Sequence, residues 1–243
     1  TGAAPFESFQ VADLGDVALN AYNLTKSIEI IEQHYCDLLI NPVRTISLGG
    51  DHTITLPILR AYAKKHGPLA VIHVDAHADM NDTMFGEKET HGTIFRRAIE
   101  EELIAPEKML QIGLRATGYS AEDFDWARER GVMVVQAEEC WYQSLAPLLQ
   151  NFAAGVGGDH PAYLSFDIDG LDPSVAPGTG TPESAGLTAS QGIEIIRGCH
   201  GLNLVGADLV EVSPPYDPSG NTALLAANLV FEMLCALPGC KRR

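Results

Sequence analysis

The stretch "LAVIHVDAHAD", residues 69–79, decides how this chain folds. Its first half is a near-continuous apolar run of strand length, and its second half sets Asp75, His77 and Asp79 at alternate positions. Unbroken rather than alternating hydrophobicity belongs to a strand covered on both faces, as in a parallel sheet. Five further runs share this character: "RTISL" (44–48), "KMLQIGL" (108–114), "GVMVVQ" (131–136), "AYLSFD" (162–167) and "NLVGADLV" (203–210), with "FQVADL" (9–14) a weaker seventh. Between them lie helical patterns. In 24–39, Leu24, Ile28, Ile31, Tyr35 and Leu38 recur at three- and four-residue steps and form one apolar face. Residues 53–66 end at Gly67, placed as a left-handed cap, and 93–103, 121–130, 188–199 and 221–236 fit as further helices. Strand–helix alternation of this kind predicts a doubly wound α/β sheet in a single domain, 1–243.

Composition narrows the function. A chain of 243 residues with 46% apolar and 20% charged residues is an ordinary globular protein. Its formal charge of −16 disfavours nucleic acid and anionic membrane as partners and favours cations. The five scattered cysteines, without a CxxC pair, read as reduced thiols of an intracellular protein, and no apolar run reaches transmembrane length.

Sheets of this class carry ligands outside the carboxyl ends of their strands. His52 follows the first run, Asp75, His77 and Asp79 the second, Arg115 the third, Asp167 and Asp169 the fifth, and Glu211 the sixth. In an extended chain alternate residues share one side, so both the DxHxD and the DxD segments are expected to project their ligands together. His52, in "SLGGDHT", arrives on a Gly-Gly turn that allows close backbone approach. Four carboxylates crowded together need cations. Six ligands fit two ions, and oxygen with imidazole but no thiolate favours Mn²⁺ over structural zinc. "GTGTPE" (178–183) lacks the Lys-Ser/Thr of a phosphate loop and reads as structural. Trp141, Tyr142, Phe231 and Met233 read as core or subunit contacts, and Arg96 and Arg97 as a solvated helix face.

At these residues the sequence resembles the ureohydrolase (arginase) family. "GGDH" (49–52), "DAHAD" (75–79), "SFDIDGLDPSVAPGTGTPE" (165–183) and "VEVSPPYD" (210–217) are similar to its signature blocks, in order. "HGTIFRRAIEE" (91–101) and "GNTALLAANLVFEMLCALP" (220–238) are similar to the agmatinase and guanidinobutyrase branch. The resemblance implies a three-layer α/β/α fold with a mainly parallel sheet, here expected to lack the family's first strand. It implies a binuclear Mn²⁺ hydrolase that cleaves a guanidino compound to urea and an amine. His52, Asp75, His77, Asp79, Asp167 and Asp169 then match the metal ligands, His91 the proton-transfer histidine and Glu211 the carboxylate that holds the guanidinium. Asp79 beside the water would take its proton. A trimer or hexamer is implied, in the cytoplasm or, in a eukaryote, the mitochondrion.

The far end of the substrate separates 4-guanidinobutanoate, slightly favoured by the loop "MFGEKETHG" (84–92), from agmatine. Asn81, Lys88 and Arg115 are candidate donors for a carboxylate, and Asp82, Glu87 and Glu89 candidate acceptors for an ammonium group. A reading of a different class is a catalytically silent assembly subunit.

Overall fold

The computed structural model describes residues 2–116 and 124–242. Among the described residues, six strands form one parallel sheet in the order β1-β6-β5-β2-β3-β4: β1 (Thr45–Leu48), β2 (Leu69–Val74), β3 (Ile104–Leu114), β4 (Met133–Gln136), β5 (Pro161–Asp167) and β6 (Asn203–Val210). Every residue of β2 is buried, His73 included, as its near-continuous apolar run suggests.

Helices cover both faces. Leu24–Leu38, Thr55–His66 and Ile94–Glu100 pack on one side around Tyr62, Phe95 and Val71. Ala146–Val156, Ala189–Gly198 and Asn221–Ala236 pack on the other around Ile72, Phe166 and Leu229. Their termini carry local signals: Asn23 accepts from Lys26 N–H, and Thr188 with Gln191 forms a capping box. Asp217 accepts from Ala223 N–H at 2.9 Å, which satisfies a donor at the start of the last helix.

Four expectations change. Residues 9–14 are not a strand: Asp13 Oδ1 captures Gly15 N–H at 2.9 Å, and this local turn ends the run. Gly67 caps its helix with φ 78° and ψ −170°, an extended mirror-image conformation rather than the left-handed helical one. β3 begins at Ile104, ahead of Pro106, because a register shift against β2 accommodates the proline. Helix Ala146–Val156 stands where none was predicted; Pro147 reads as a breaker but sits in the first turn, where its missing N–H is harmless. Of the predicted helix 121–130, Asp125–Arg128 is helical and 121–123 lie outside the described residues.

Side chains read as core or surface also move. Met233 is buried, whereas Trp141, Tyr142 and Phe231 are exposed on this chain. Arg97 is buried, not solvated, and pairs with Asp82 at 2.8 Å and Glu100 at 3.0 Å. Arg96 lies 4.6 Å over the Trp126 ring.

From β2 the chain steps outward to β3 and β4, then returns to β5 on the other side of β2 and continues to β6. Strands β2 and β5 therefore flank the topological switch point, and the register Val74↔Phe166 brings Asp75 and Asp167 level at its mouth.

Candidate metal centre

Both acidic segments turn by the same device. Asp75 Oδ1 accepts the N–H of His77 at 2.6 Å, and Asp167 Oδ1 accepts the N–H of Asp169 at 2.9 Å. Each carboxylate captures the amide two residues on, so the chain leaves the strand as an Asx turn. β2 ends at Val74, and Asp79 adopts φ 51°. The alternate-residue argument for 75–79 thus expects the wrong geometry: these side chains converge through a turn, not along an extended strand. Close packing holds Asp75 from both sides. A Cβ on Gly113 (φ 102°) would lie 2.9 Å from Asp75 O, and one on Gly170 would lie 2.9 Å from Asp75 N.

His52 opens a helical turn after β1. Glu211 N–H donates to Gly50 O at 3.0 Å, and His52 N–H donates to Glu211 Oε1 at 2.8 Å. The ends of β1 and β6 are thereby joined, with Glu211 held at φ 64°.

The six side chains form two half-sites that share one residue. His52 Nδ1 lies 3.2 Å from Asp75 Oδ2, 3.1 Å from Asp79 Oδ2 and 3.3 Å from Asp167 Oδ2. His77 Nδ1 lies 3.3 Å from Asp75 Oδ1 and 3.1 Å from Asp169 Oδ2. Asp75 turns one oxygen to each histidine. Thr181 Oγ1 donates to Asp169 Oδ2 at 3.2 Å.

Electrostatics show what this arrangement lacks. Burial opposes the His52 imidazolium, yet the carboxylates of Asp167, Asp75 and Asp79 outweigh it and carry its pKa well above the ordinary value. Burial likewise opposes charge on His77, while Asp169 and Asp75 raise its pKa to about 11. Burial and the neighbouring carboxylates push Asp167 upward, and burial with Asp75 raises Asp169 to about 6. The centre binds protons because it is short of positive charge. His52 Nδ1 is buried without a hydrogen-bond partner, although three carboxylate oxygens surround it. Such an orphaned atom in an oxygen-rich, thiolate-free pocket is what a hard or borderline divalent cation would satisfy. The donor set fits a metal pair.

Glu211 is half-buried, and burial raises its pKa; the His91 charge acts on it in the opposite sense. His91 itself is exposed at the start of the turn His91–Thr93. It belongs to neither half-site.

The outer candidates separate sharply. The Arg115 guanidinium donates to carbonyls of Gly113, Asp169, Gly170, Leu171, Glu183 and Ser184 at 2.6–3.2 Å. It clamps the loop that carries Asp169 and is no donor for substrate. Asn81 donates to Gly92 O, Asp82 pairs with Arg97, and Glu89 pairs with Arg60. Lys88 and Glu87 stand on the exposed turn.

Sequence reasoning missed the layer beneath. Ser47, Asp208, Ser165, His73 and Gln111 are register neighbours across β1, β6, β5, β2 and β3, and all are buried. They lie two residues below Asp75 and Asp167 along their strands. Asp208 accepts from Thr55 Oγ1 at 2.9 Å, Tyr163 OH at 2.9 Å and Ser165 Oγ at 2.7 Å. Ser165 Oγ in turn lies 2.8 Å from His52 Nε2. With its own proton committed to Asp208, Ser165 accepts from His52 Nε2–H. The readable signal was a polar residue inside each otherwise apolar strand.

Comparison with known proteins adds the following. The arginase family model matches residues 1–235. A guanidinobutyrase of Pseudomonas aeruginosa is 64% identical over 243 residues, covering 100% of this chain and 76% of that protein. A mitochondrial agmatinase of Gallus gallus is 56% identical over 241 residues, covering 99% and 71%. Among solved structures, the proclavaminate amidino hydrolase of Streptomyces clavuligerus superposes with a TM-score of 0.92 at 39% identity, over 97% of this chain and 78% of that one.

Proposed function

The chain belongs to the arginase family, and from that premise we propose that it is a two-Mn²⁺ amidino hydrolase of a linear guanidino compound, with 4-guanidinobutanoate slightly ahead of agmatine. The observation that carries the reading is the pair of carboxylate-rich half-sites joined through Asp75, with His52 Nδ1 unpartnered at the centre of one. His52, Asp75, Asp79 and Asp167 would hold one ion, and Asp75, His77 and Asp169 the other. When bound, the ions would supply Lewis acidity and lower the pKa of a bound water.

The remaining tasks fall to the protein. A guanidinium carbon is a poor electrophile because resonance spreads its charge over three nitrogens, so the group must be held in line. Glu211, which accepts His52 N–H beside the first half-site, offers a carboxylate suited to pair with the planar guanidinium and orient it. Asp79 takes the proton released as water adds to the carbon. Loss of an amine anion is prohibitive, so His91, exposed to solvent, delivers a proton to the departing nitrogen. The C–N bond then breaks to give urea and the amine. This chemistry serves acid and amine substrates alike.

Selection lies in the outer wall. Asn81 and Arg115 are committed to backbone carbonyls, which leaves Lys88 as the donor for a carboxylate end. The net charge of −16 pulls towards the dication agmatine, so the margin is small. Urea release from 4-guanidinobutanoate, agmatine and L-arginine, measured side by side with Mn²⁺, decides it. A clear preference for agmatine reverses the order, and a preference for arginine overturns the branch. No urea from any of them favours the silent-subunit reading.

A further inference from the structure

His73 is fully buried one layer beneath the centre, and with His52, Asp75 and Asp79 it offers ligand atoms within 4.8 Å of one another. By distance alone it would count as a ligand. Its hydrogen bonds indicate otherwise. Gln111 Nε2 donates to Ala78 O at 2.7 Å, and a backbone carbonyl can only accept, so the NH₂ end of the amide faces that way. The same nitrogen lies 2.9 Å from His73 Nδ1, which must then accept. The ring proton is left on Nε2, 2.8 Å from Asp75 Oδ2, to which it donates. A chain of obligatory assignments thus runs from the Ala78 carbonyl through Gln111 and His73 to the carboxylate shared by both half-sites. Phe95, with its ring centroid 4.1 Å from that of His73, fixes the imidazole in place.

We propose that His73, locked by Gln111 as an N–H donor, is a positioning residue that sets Asp75 as a bridge, and that it is not itself a metal ligand. Asp75 Oδ1 is held by His77 N–H and Oδ2 by His73 Nε2–H, at 2.6 and 2.8 Å. Each oxygen has one fixed donor and keeps a lone pair for the ion on its own side. Without the His73 bond the carboxylate is free to rotate and chelate one ion with both oxygens, leaving the other short of a ligand. The inference rests on the two-ion reading of the site.

The experiment is a titration of chelated protein with Mn²⁺ alone, reading stoichiometry and Kd, with the melting temperature of each metal-free variant as the check on folding. His73→Phe keeps a ring against Phe95 but removes the donor. It is expected to weaken at least one ion by about 10–100-fold, the usual worth of a group that orients a ligand. His73→Gln, whose amide nitrogen can reach the Nε2 position, should restore most of that loss. Gln111→Leu, which unlocks the tautomer, should weaken binding in the same sense. It takes the place of His73→Phe if that variant does not fold. Wild-type affinity in His73→Phe overturns the proposal, as does equal weakening in the Phe and Gln variants. Unchanged affinity in Gln111→Leu also overturns it, since direct ligation by His73 would survive that change. A wild-type protein that binds fewer than two ions brings down the two-ion reading itself, which is a different result from two ions bound with His73 indifferent.

Discussion

Two buried polar layers lie two residues apart along the same strands, and they are built on opposite principles. The lower one surrounds a single carboxylate, Asp208, with three hydroxyl donors, and Tyr35 OH meets Ser47 at 2.5 Å beside it. Burial and the Asp208 carboxylate hold the Tyr163 phenol well above its ordinary pKa, so it stays a donor. The upper one crowds four carboxylates and two histidines together with little from the protein to balance them. A buried network complete in itself fixes a fold, whereas one left rich in acceptors is complete only with a cation. The chemistry of this hydrolase lives in the acceptor-rich layer, and the lower layer, where Asp208 has its three donors, supports the fold.

The sharpest way to break that contrast is at Asp75. Exhaustive chelation should abolish urea release, and Asp75→Asn should lower turnover by about 10³-fold or more, since several kcal/mol of charge stabilisation go with the ions. Metal analysis should show occupancy falling in parallel; full turnover in metal-free protein would end the argument. Next comes His91→Ala, expected to lower kcat by roughly 10²–10⁴-fold, the worth of a positioned acid, with metal content unchanged. Loss of metal in that variant would make His91 a ligand or a support instead.

Stability should respond in the reverse order. Asp208→Asn places an amide among hydroxyls that already donate, and should cost about 3 kcal/mol, or roughly 6–12 °C in Tm. In chelated protein Asp167→Asn should melt no lower than wild type, because it relieves repulsion in the dry centre. If Asp167→Asn were instead as damaging as Asp208→Asn, the two layers would not differ as described. The smallest effect is expected far from both, at the ion pair Arg197–Glu232, with oxygens 2.6 and 2.9 Å from the guanidinium. That pairing lowers the Glu232 pKa, so its contribution is present above the unfolded value of 4.5 and fades as pH falls through the folded one. At pH 7 Glu232→Gln should lose about 1 kcal/mol or less, roughly 2–4 °C, and the gap to wild type should close under acid.

How much of this was legible beforehand differs between the layers for a physical reason. "DAHAD" and "SFDID" are local, and a carboxylate that binds an amide two residues on needs only its own segment. His73, Gln111, Ser165 and Asp208 acquire meaning through register across strands far apart in sequence, and "NLVGADLV" reads simply as a strand. Arg115 followed a strand end as the active-site rule asks, but nothing local reveals that its donors face six carbonyls. The sheet itself was readable because burial on both faces leaves a near-continuous apolar run. Helix Ala146–Val156 was not, because Pro147 means opposite things at the start and in the middle of a helix.

Asp79 and Glu211 share one further property: both hold a left-handed backbone, at φ 51° and 64°, that glycine would adopt without strain. Glycine at either position would relieve about 1 kcal/mol while deleting the carboxylate. Selection for robustness alone therefore pulls against selection for turnover at these two sites. A duplicate gene freed from catalysis would find glycine there early in its drift. In a sister chain, glycine at 79 or 211 would mark a fold inherited for its shape after its chemistry had been given up.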